Sequence, residues 1–280
     1  MRFFISSLLA TLTFGCTHTG LLSNDFEKLE HETGGRVGVS AWDVTSGERI
    51  GYRAGERFPF CSTFKTLAVA AALKQGGLAK RLHFTADDVK KSGYAPITTK
   101  FVDQGMTVSE LSAAAIQYSD NAAVNSLMTH LGGLQTVNAF ARTLGDEVFR
   151  LDRWEPELNS AEPSDTRDTT TPDAMTGSVH KILLGDALPP AARALILAWH
   201  KTNTTGDKRI RAGIPKDWTA AEKTGTCSYG TTNDAGVIWR ADGSPIVLTI
   251  YFTGRDKDAK PNDAAVAYVA KIISEKLGTR

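Results

Sequence analysis

Apolar and polar positions alternate along residues 37–52, where Val37, Val39 and Ala41, then Ile50 and Tyr52, flank the polar turn Thr45-Ser46-Gly47. A period of two predicts a β-hairpin with one buried face. Upstream, residues 24–33 carry a helix pattern with Asn24 and Glu27 as its expected capping box and Gly34-Gly35 as its stop. The period then lengthens: Phe64, Leu67, Ala68, Ala71 and Ala72 recur at helical spacing until Gly76-Gly77. Thr107 and Glu110 predict another capping box, ahead of a helix over Val108 to Gln117. A further helix runs from Ala122 to Leu131, stopped by Gly132-Gly133. Thr171-Pro172 starts a helix in the favoured cap and first-turn arrangement, and Pro190 to Lys201 gives one more. After Trp218 the pattern returns to strands, with Val237 to Arg240 and Ile246 to Thr253 paired about the Asp242-Gly243 turn. A last helix places Val266, Val269, Ala270, Ile273 and Leu277 on one face.

Strands at both ends around a helical middle predict an α/β fold: an antiparallel sheet from both chain termini, flanked by helices, with an inserted all-helical lobe. The expected division is an α/β lobe of residues 24–58 and 202–280 and a helical lobe of residues 59–201. Residues 145–171 break the pattern, being poor in apolar periodicity and rich in Asp, Glu, Pro and Thr. A loop this long inside a compact domain is usually functional or disordered.

Composition and charge mainly exclude. The chain has 280 residues, 41% of them hydrophobic, enough to bury a large core. Its formal charge is +1 with Lys and Arg scattered, so no nucleic-acid stripe or polybasic membrane segment is expected. Arg2, the apolar or small run Phe3 to Phe14 and the polar Thr17-His18-Thr19 read as an export signal over residues 1–20. The run is too short to span a bilayer, which takes about 20 residues. Simple cleavage into the periplasm, with no stable membrane partner, is favoured over lipid attachment at Cys16. No G-x-S-x-G, H-E-x-x-H or P-loop pattern occurs, and the six His lack ligand spacing, so no metal or cofactor is expected.

The candidate chemistry lies in three short motifs. Ser62-Thr63-Phe64-Lys65 puts a hydroxyl at the positive end of a predicted helix and an amine on the same face three positions on. A nearby amine lowers the cost of deprotonating that hydroxyl. Ser178-Val179-His180-Lys181 has the same form and reads as solvated helix surface, so the motif alone is weak. Ser119-Asp120-Asn121 falls between two helices, where Asp or Asn would serve simply as a cap. Lys223-Thr224-Gly225 opens the strand-rich segment; its Lys can hold an anion and its Gly lets backbone approach a ligand. All three, in this order, are specific together.

On these motifs the chain resembles the class A serine β-lactamases over nearly all of its mature length. Arg153-Trp154-Glu155-Pro156-Glu157-Leu158-Asn159 is similar to that family's catalytic Ω-loop, here residues 153–168, and Arg167-Asp168 followed by threonines to its end. The resemblance implies a β-lactamase/transpeptidase-like fold and hydrolysis of β-lactams by a monomer without cofactors. Ser62 is then the nucleophile, Lys65 or Glu155 through a water its base, and Ser119 the relay to the leaving nitrogen. The N–H groups of Ser62 and Thr226 form the oxyanion hole, and Glu155 with Asn159 holds the deacylating water. Lys223, Thr224, Thr226 and Arg209 face the substrate carboxylate, Asn121 binds the side-chain amide and Lys65, and Tyr94 stands at the cleft mouth. The same resemblance implies a cis Glu155–Pro156 bond and an Arg153–Asp168 pair across the loop's neck. It also implies a Cys61–Cys227 disulfide as in carbapenemases, hence a spectrum that includes carbapenems; Pro261, where some of them carry a polar residue, departs from that pattern. A cell-wall transpeptidase or carboxypeptidase and a β-lactam sensor share the first motifs, and Glu155 with Asn159 argues against both.

Overall fold

The computed structural model describes residues 19–278. The export signal expected over 1–20 falls almost wholly outside the described residues, as does Cys16. Among the described residues no helix is long and apolar enough to cross a membrane.

In chain order the elements are α1 (Thr19–Thr33), β1 (Arg36–Asp43), β2 (Arg49–Tyr52), the two-residue β3 (Phe58–Pro59), α2 (Lys65–Gln75), β4 (Arg81–Leu82) and α3 (Ala86–Lys91). Then come β5 (Met106–Thr107), α4 (Val108–Gln117), α5 (Asn121–Leu131), α6 (Leu134–Thr143), β6 (Thr169–Thr170), α7 (Pro172–Leu183) and α8 (Pro190–Lys201). The short α9 (Ile210–Gly213), β7 (Thr219–Thr226), β8 (Thr232–Trp239), β9 (Pro245–Thr253) and α10 (Asp263–Gly278) complete the chain. The main sheet has the order β2-β1-β9-β8-β7 with antiparallel neighbours throughout, so both ends of the chain build it, as expected.

Period-2 alternation separates two cores. Val237 and Val247 point into one, with the buried faces of α2, α4, α5, α6 and α7. Ile238, Ile246, Leu248 and Ile250 point into the other, with Val37, Val39 and Ala41 of β1, Phe26 of α1 and Val266, Val269 and Ile273 of α10. α2 departs from an ordinary amphipathic helix, because every residue from Lys65 to Leu73 is buried. A helix surrounded on all sides must be uncharged or have its charges paired. That demand falls on Lys65.

Several sequence expectations need correction. α1 spans Thr19–Thr33, so Asn24 and Glu27 lie within it on an exposed face and cap nothing; among residues 23–33 only Phe26 and Leu29 are fully turned inward, and the polar pair mimicked a cap. Two helices carry signals that the reading passed over. α6 has its stripe in Leu134, Val137, Phe140 and Ala141, and α3 has a complete capping box of Thr85 and Asp88. The second Ser-x-x-Lys is not solvated surface at its serine: Ser178 is buried and donates to Asp146 Oδ2 at 3.0 Å, while Lys181 donates to the Leu144 carbonyl. α7 lies between the sheet and the 144–149 segment, which shields Ser178 from solvent while Lys181 stays exposed at the edge. By contrast, Thr107 and Glu110 cap α4 reciprocally, at 3.1 and 2.7 Å, as expected.

Leu67 of α2 has no exposed surface. Leu67→Ala should therefore cost about 2–5 kcal/mol in urea unfolding, and a loss below about 1 kcal/mol would contradict this packing.

Candidate active site

Ser62 lies in a 3-10 turn, Cys61–Phe64, that leads directly into α2, so Lys65 is the first α-helical residue. β7 runs close past this turn. A Cβ on Gly225 would come within 2.8 Å of the Phe60 carbonyl and 3.1 Å of the Ser62 nitrogen, so the third motif's glycine serves approach to the nucleophile's own backbone. Cys61 and Cys227 form a disulfide that joins the same two segments.

The Lys65 ammonium is fully buried and gathers three partner residues from two segments. It donates to Asn121 Oδ1 at 2.6 Å, to the Ser119 carbonyl at 2.8 Å and to Ser119 Oγ at 3.3 Å, and lies 3.0 Å from Glu155 Oε1. Ser62 Oγ donates to that same Glu155 oxygen at 3.2 Å. Burial lowers the Lys65 pKa, and Glu155 opposes the shift. On β7, Lys223 is also fully buried and donates to Ser119 Oγ at 3.0 Å and to the Thr224 carbonyl at 2.8 Å. Its pKa is pushed well down by burial and by the like charge of Lys65. The Ser119 hydroxyl thus accepts from two amines, which uses both lone pairs and leaves its own proton free to be given away.

The turn that presents Ser119 and Asn121 is pinned by Asp120. Its Oδ1 accepts from Ala123 N as the cap of α5, and its Oδ2 from Ile97 N and Thr98 N, each at 2.9 Å. The sequence reading of Asp120 as a cap is right but incomplete, since it also anchors the 97–98 segment. The Tyr94 carbonyl accepts from Asn121 N at 2.8 Å while the Tyr94 ring stands 58% exposed, which sets an aromatic beside the site.

Glu155 is delivered by the loop after α6. Arg153 Nε and Asp168 Oδ2 meet at 2.5 Å across its neck, and Asp168 Oδ1 accepts from Asp152 N and Arg153 N. The Glu155–Pro156 bond is cis. Asn159 Nδ2 donates to Glu155 Oε2, so the carboxylate's two oxygens have separate duties. Asn125 of α5 brackets the Glu155 backbone, donating to its carbonyl at 2.9 Å and accepting from its N–H at 3.3 Å. The sequence reading missed Asn125; it falls on the same helix face as Asn121, one turn on, which was the available signal.

Arg209, from before α9, reaches the end of β7. It donates to Thr226 Oγ1 at 2.7 Å, to the Gly225 and Asn233 carbonyls at 2.8 Å each, and to Asp263 at 2.7 Å. Thr224 Oγ1 hydrogen-bonds Thr205 Oγ1. Ser62, Lys65, Ser119, Asn121, Glu155, Asn159 and Lys223 therefore form one hydrogen-bonded network, with Thr224, Thr226 and Arg209 along the strand beside it. A second unread cluster lies close by. Glu222 is buried with Arg211 at 3.0 Å and Asn203 at 3.1 Å, and Asp234 is buried on β8 opposite Thr224. Burial, aided by the Asp234 charge, pushes the Glu222 carboxyl up to about 8, and burial also raises Asp234 against the pull of Arg209.

A profile described as a β-lactamase enzyme family matches residues 21–277. The chain belongs to that family, and the resemblance to class A serine β-lactamases holds. It is 50% identical over 252 residues to a β-lactamase of Citrobacter koseri, covering 89% of this chain and 86% of that one. It is 48% identical over 264 residues to the carbapenem-hydrolyzing β-lactamase KPC of Klebsiella oxytoca, covering 93% and 90%. The crystal structure of a β-lactamase from Desulfarculus baarsii superposes with a TM-score of 0.89 at 44% identity, over 92% of this chain and 97% of that one.

Because Glu222 takes up its proton more readily folded than unfolded, its contribution to stability is full below pH about 4.5 and is lost as pH rises through about 8. Glu222→Gln should flatten that decline in urea melts taken across this range; an unchanged slope would place the titration elsewhere.

Proposed function

We propose that this enzyme hydrolyses β-lactam antibiotics, carbapenems among them, through an ester formed on Ser62. One observation carries the reading. Ser62 and Lys65 converge on a single oxygen of Glu155, whose other oxygen is held by Asn159.

In acylation the Ser62 oxygen attacks the lactam carbonyl and loses its proton to Lys65, or to Glu155 through a water. The N–H groups of Ser62 and Thr226 stabilise the oxyanion. The C–N bond breaks, and the departing nitrogen takes the Ser119 proton, which Lys65 or Lys223 can replace. Lys223, Thr224, Thr226 and Arg209 receive the substrate carboxylate, Asn121 its amide, and Tyr94 borders the entrance. In deacylation a water attacks the Ser62 ester, Glu155 takes the water's proton with Asn159 orienting the pair, and the serine oxygen leaves with a proton restored. A transpeptidase or a sensor lacks use for that second step, so the Glu155–Asn159 pairing favours a hydrolase.

The carbapenem claim rests on the Cys61–Cys227 bridge beside the nucleophile and on the likeness to the KPC enzyme. The division into an α/β lobe, 24–58 with 202–280, and a helical lobe, 59–201, puts the nucleophile at the junction of the two. A cleaved signal over 1–20, a periplasmic site and a monomeric state complete the proposal, and resistance to β-lactams is its biological consequence.

Ser62→Ala should abolish covalent labelling by benzylpenicillin in intact-mass spectra while the protein stays folded. Purified wild-type protein should turn over imipenem as well as penicillin; inertness toward imipenem with intact penicillinase activity would remove the carbapenem claim alone.

A further inference from the structure

Away from the Ser62 network, the far limb of the Ω-loop roofs a cavity of about 890 Å³. Its walls come from α1, the start of β1, the 53–59 segment, residues 161–166 and the end of β9. Arg36, Arg53, Arg57 and Arg255 line it, against Glu27, Glu30, Glu162 and Asp165, with His31 on α1. The formal charges balance, but the partners do not.

Glu30 is saturated, accepting from Val37 N, Tyr52 OH and two nitrogens of Arg53. Glu162 accepts from Tyr229 OH at 2.8 Å and has Lys257 at 3.6 Å, and neither partner lines the cavity. Asp165 is engaged by Arg167, which holds its carboxyl down to about 2, and lies 3.7 Å from Arg153. Arg36 is taken by Glu56, 2.9 Å away, and stacks on Phe58. Two guanidiniums are left. Among the described residues, half-buried Arg57 bonds only Thr169, through its hydroxyl at 3.0 Å and its carbonyl at 3.5 Å, and Arg255, exposed just past β9, has no ionic or hydrogen-bond partner. Against them stands one carboxylate without a described partner, Glu27, exposed on α1.

We propose that this cavity binds a small organic molecule carrying at least two anionic groups, phosphate or carboxylate. Arg57 and Arg255 supply forked, permanently charged donors that suit either group. The volume exceeds what a lone ion fills and lies in the range of small-molecule sites. Since residues 161–166 form the roof, the occupant fixes the limb of the loop that follows Asn159. Hydrolysis needs none of these residues, so the site stands or falls independently of the reaction at Ser62.

The test is calorimetric titration of the full chain with pyrophosphate and with citrate at low ionic strength, alongside hydrogen exchange of residues 161–166. Saturable binding of either probe with slowed exchange in that segment is expected, weakened about ten-fold or more in Arg255→Ala and unchanged in Arg81→Ala, which lies outside the cavity. Arg255 has no described partner to lose, and unaltered nitrocefin hydrolysis by Arg255→Ala confirms that the variant folds. Binding of pyrophosphate alone assigns a phosphate ligand, and of citrate alone a carboxylate. Absence of saturation with both probes, equal affinity in Arg255→Ala, or binding without protection of 161–166 overturns the proposal.

Discussion

A fully buried ammonium governs the architecture of the active-site half. Lys65 opens a helix that is enclosed on every side, and an unpaired charge there would cost several kcal/mol. Its partners come from elements far apart in sequence: Glu155 from the loop after α6, and Ser119 and Asn121 from the α4–α5 turn. Each must arrive correctly for the helix to bury Lys65 as a paired ammonium. The folding requirement and the chemical requirement are therefore one requirement, and the groups that satisfy Lys65 are also those that surround Ser62.

The supporting contacts follow from that demand. Asp120 locks the turn to the 97–98 segment, Arg153 and Asp168 close the loop, and Asn125 grips the backbone of Glu155 from both sides. β7 brings a second buried amine, Lys223, to the same Ser119 hydroxyl. Burial, and the like charge of Lys65, depress the proton affinity of Lys223. Gly225 permits the strand's approach, since any side chain at that position would strike the turn carrying Ser62.

Much of this was legible in the chain. Capping boxes and hydrophobic periods located α4, α5, α7, α8, α10 and the terminal strands, because those signals are local. The three motifs and the Glu155–Asn159 spacing named, through likeness to known enzymes, groups that the fold brings together, and the disulfide of Cys61 and Cys227 followed from the same likeness. What escaped was settled by distant contacts. Ser178 looked like surface because nothing local reveals that the 144–149 segment folds over α7. Glu222 and Asp234 carried no signal in the sequence, because they lie buried beside Arg211 and Arg209, which come from another part of the chain. Asn24 and Glu27 failed as a cap because a polar pair on a helix's outer face has the same spacing as one at its start.

The central claim is that Glu155 activates the water that frees the enzyme from its ester on Ser62. The most direct measurement is intact-mass spectrometry of Glu155→Gln, quenched at intervals after mixing with benzylpenicillin. Near-complete conversion to a persistent one-to-one adduct, hydrolysing at least about 100-fold more slowly than in the parent enzyme, is the predicted result. Free enzyme regained at the parental rate would contradict it and move the deacylating base to another group.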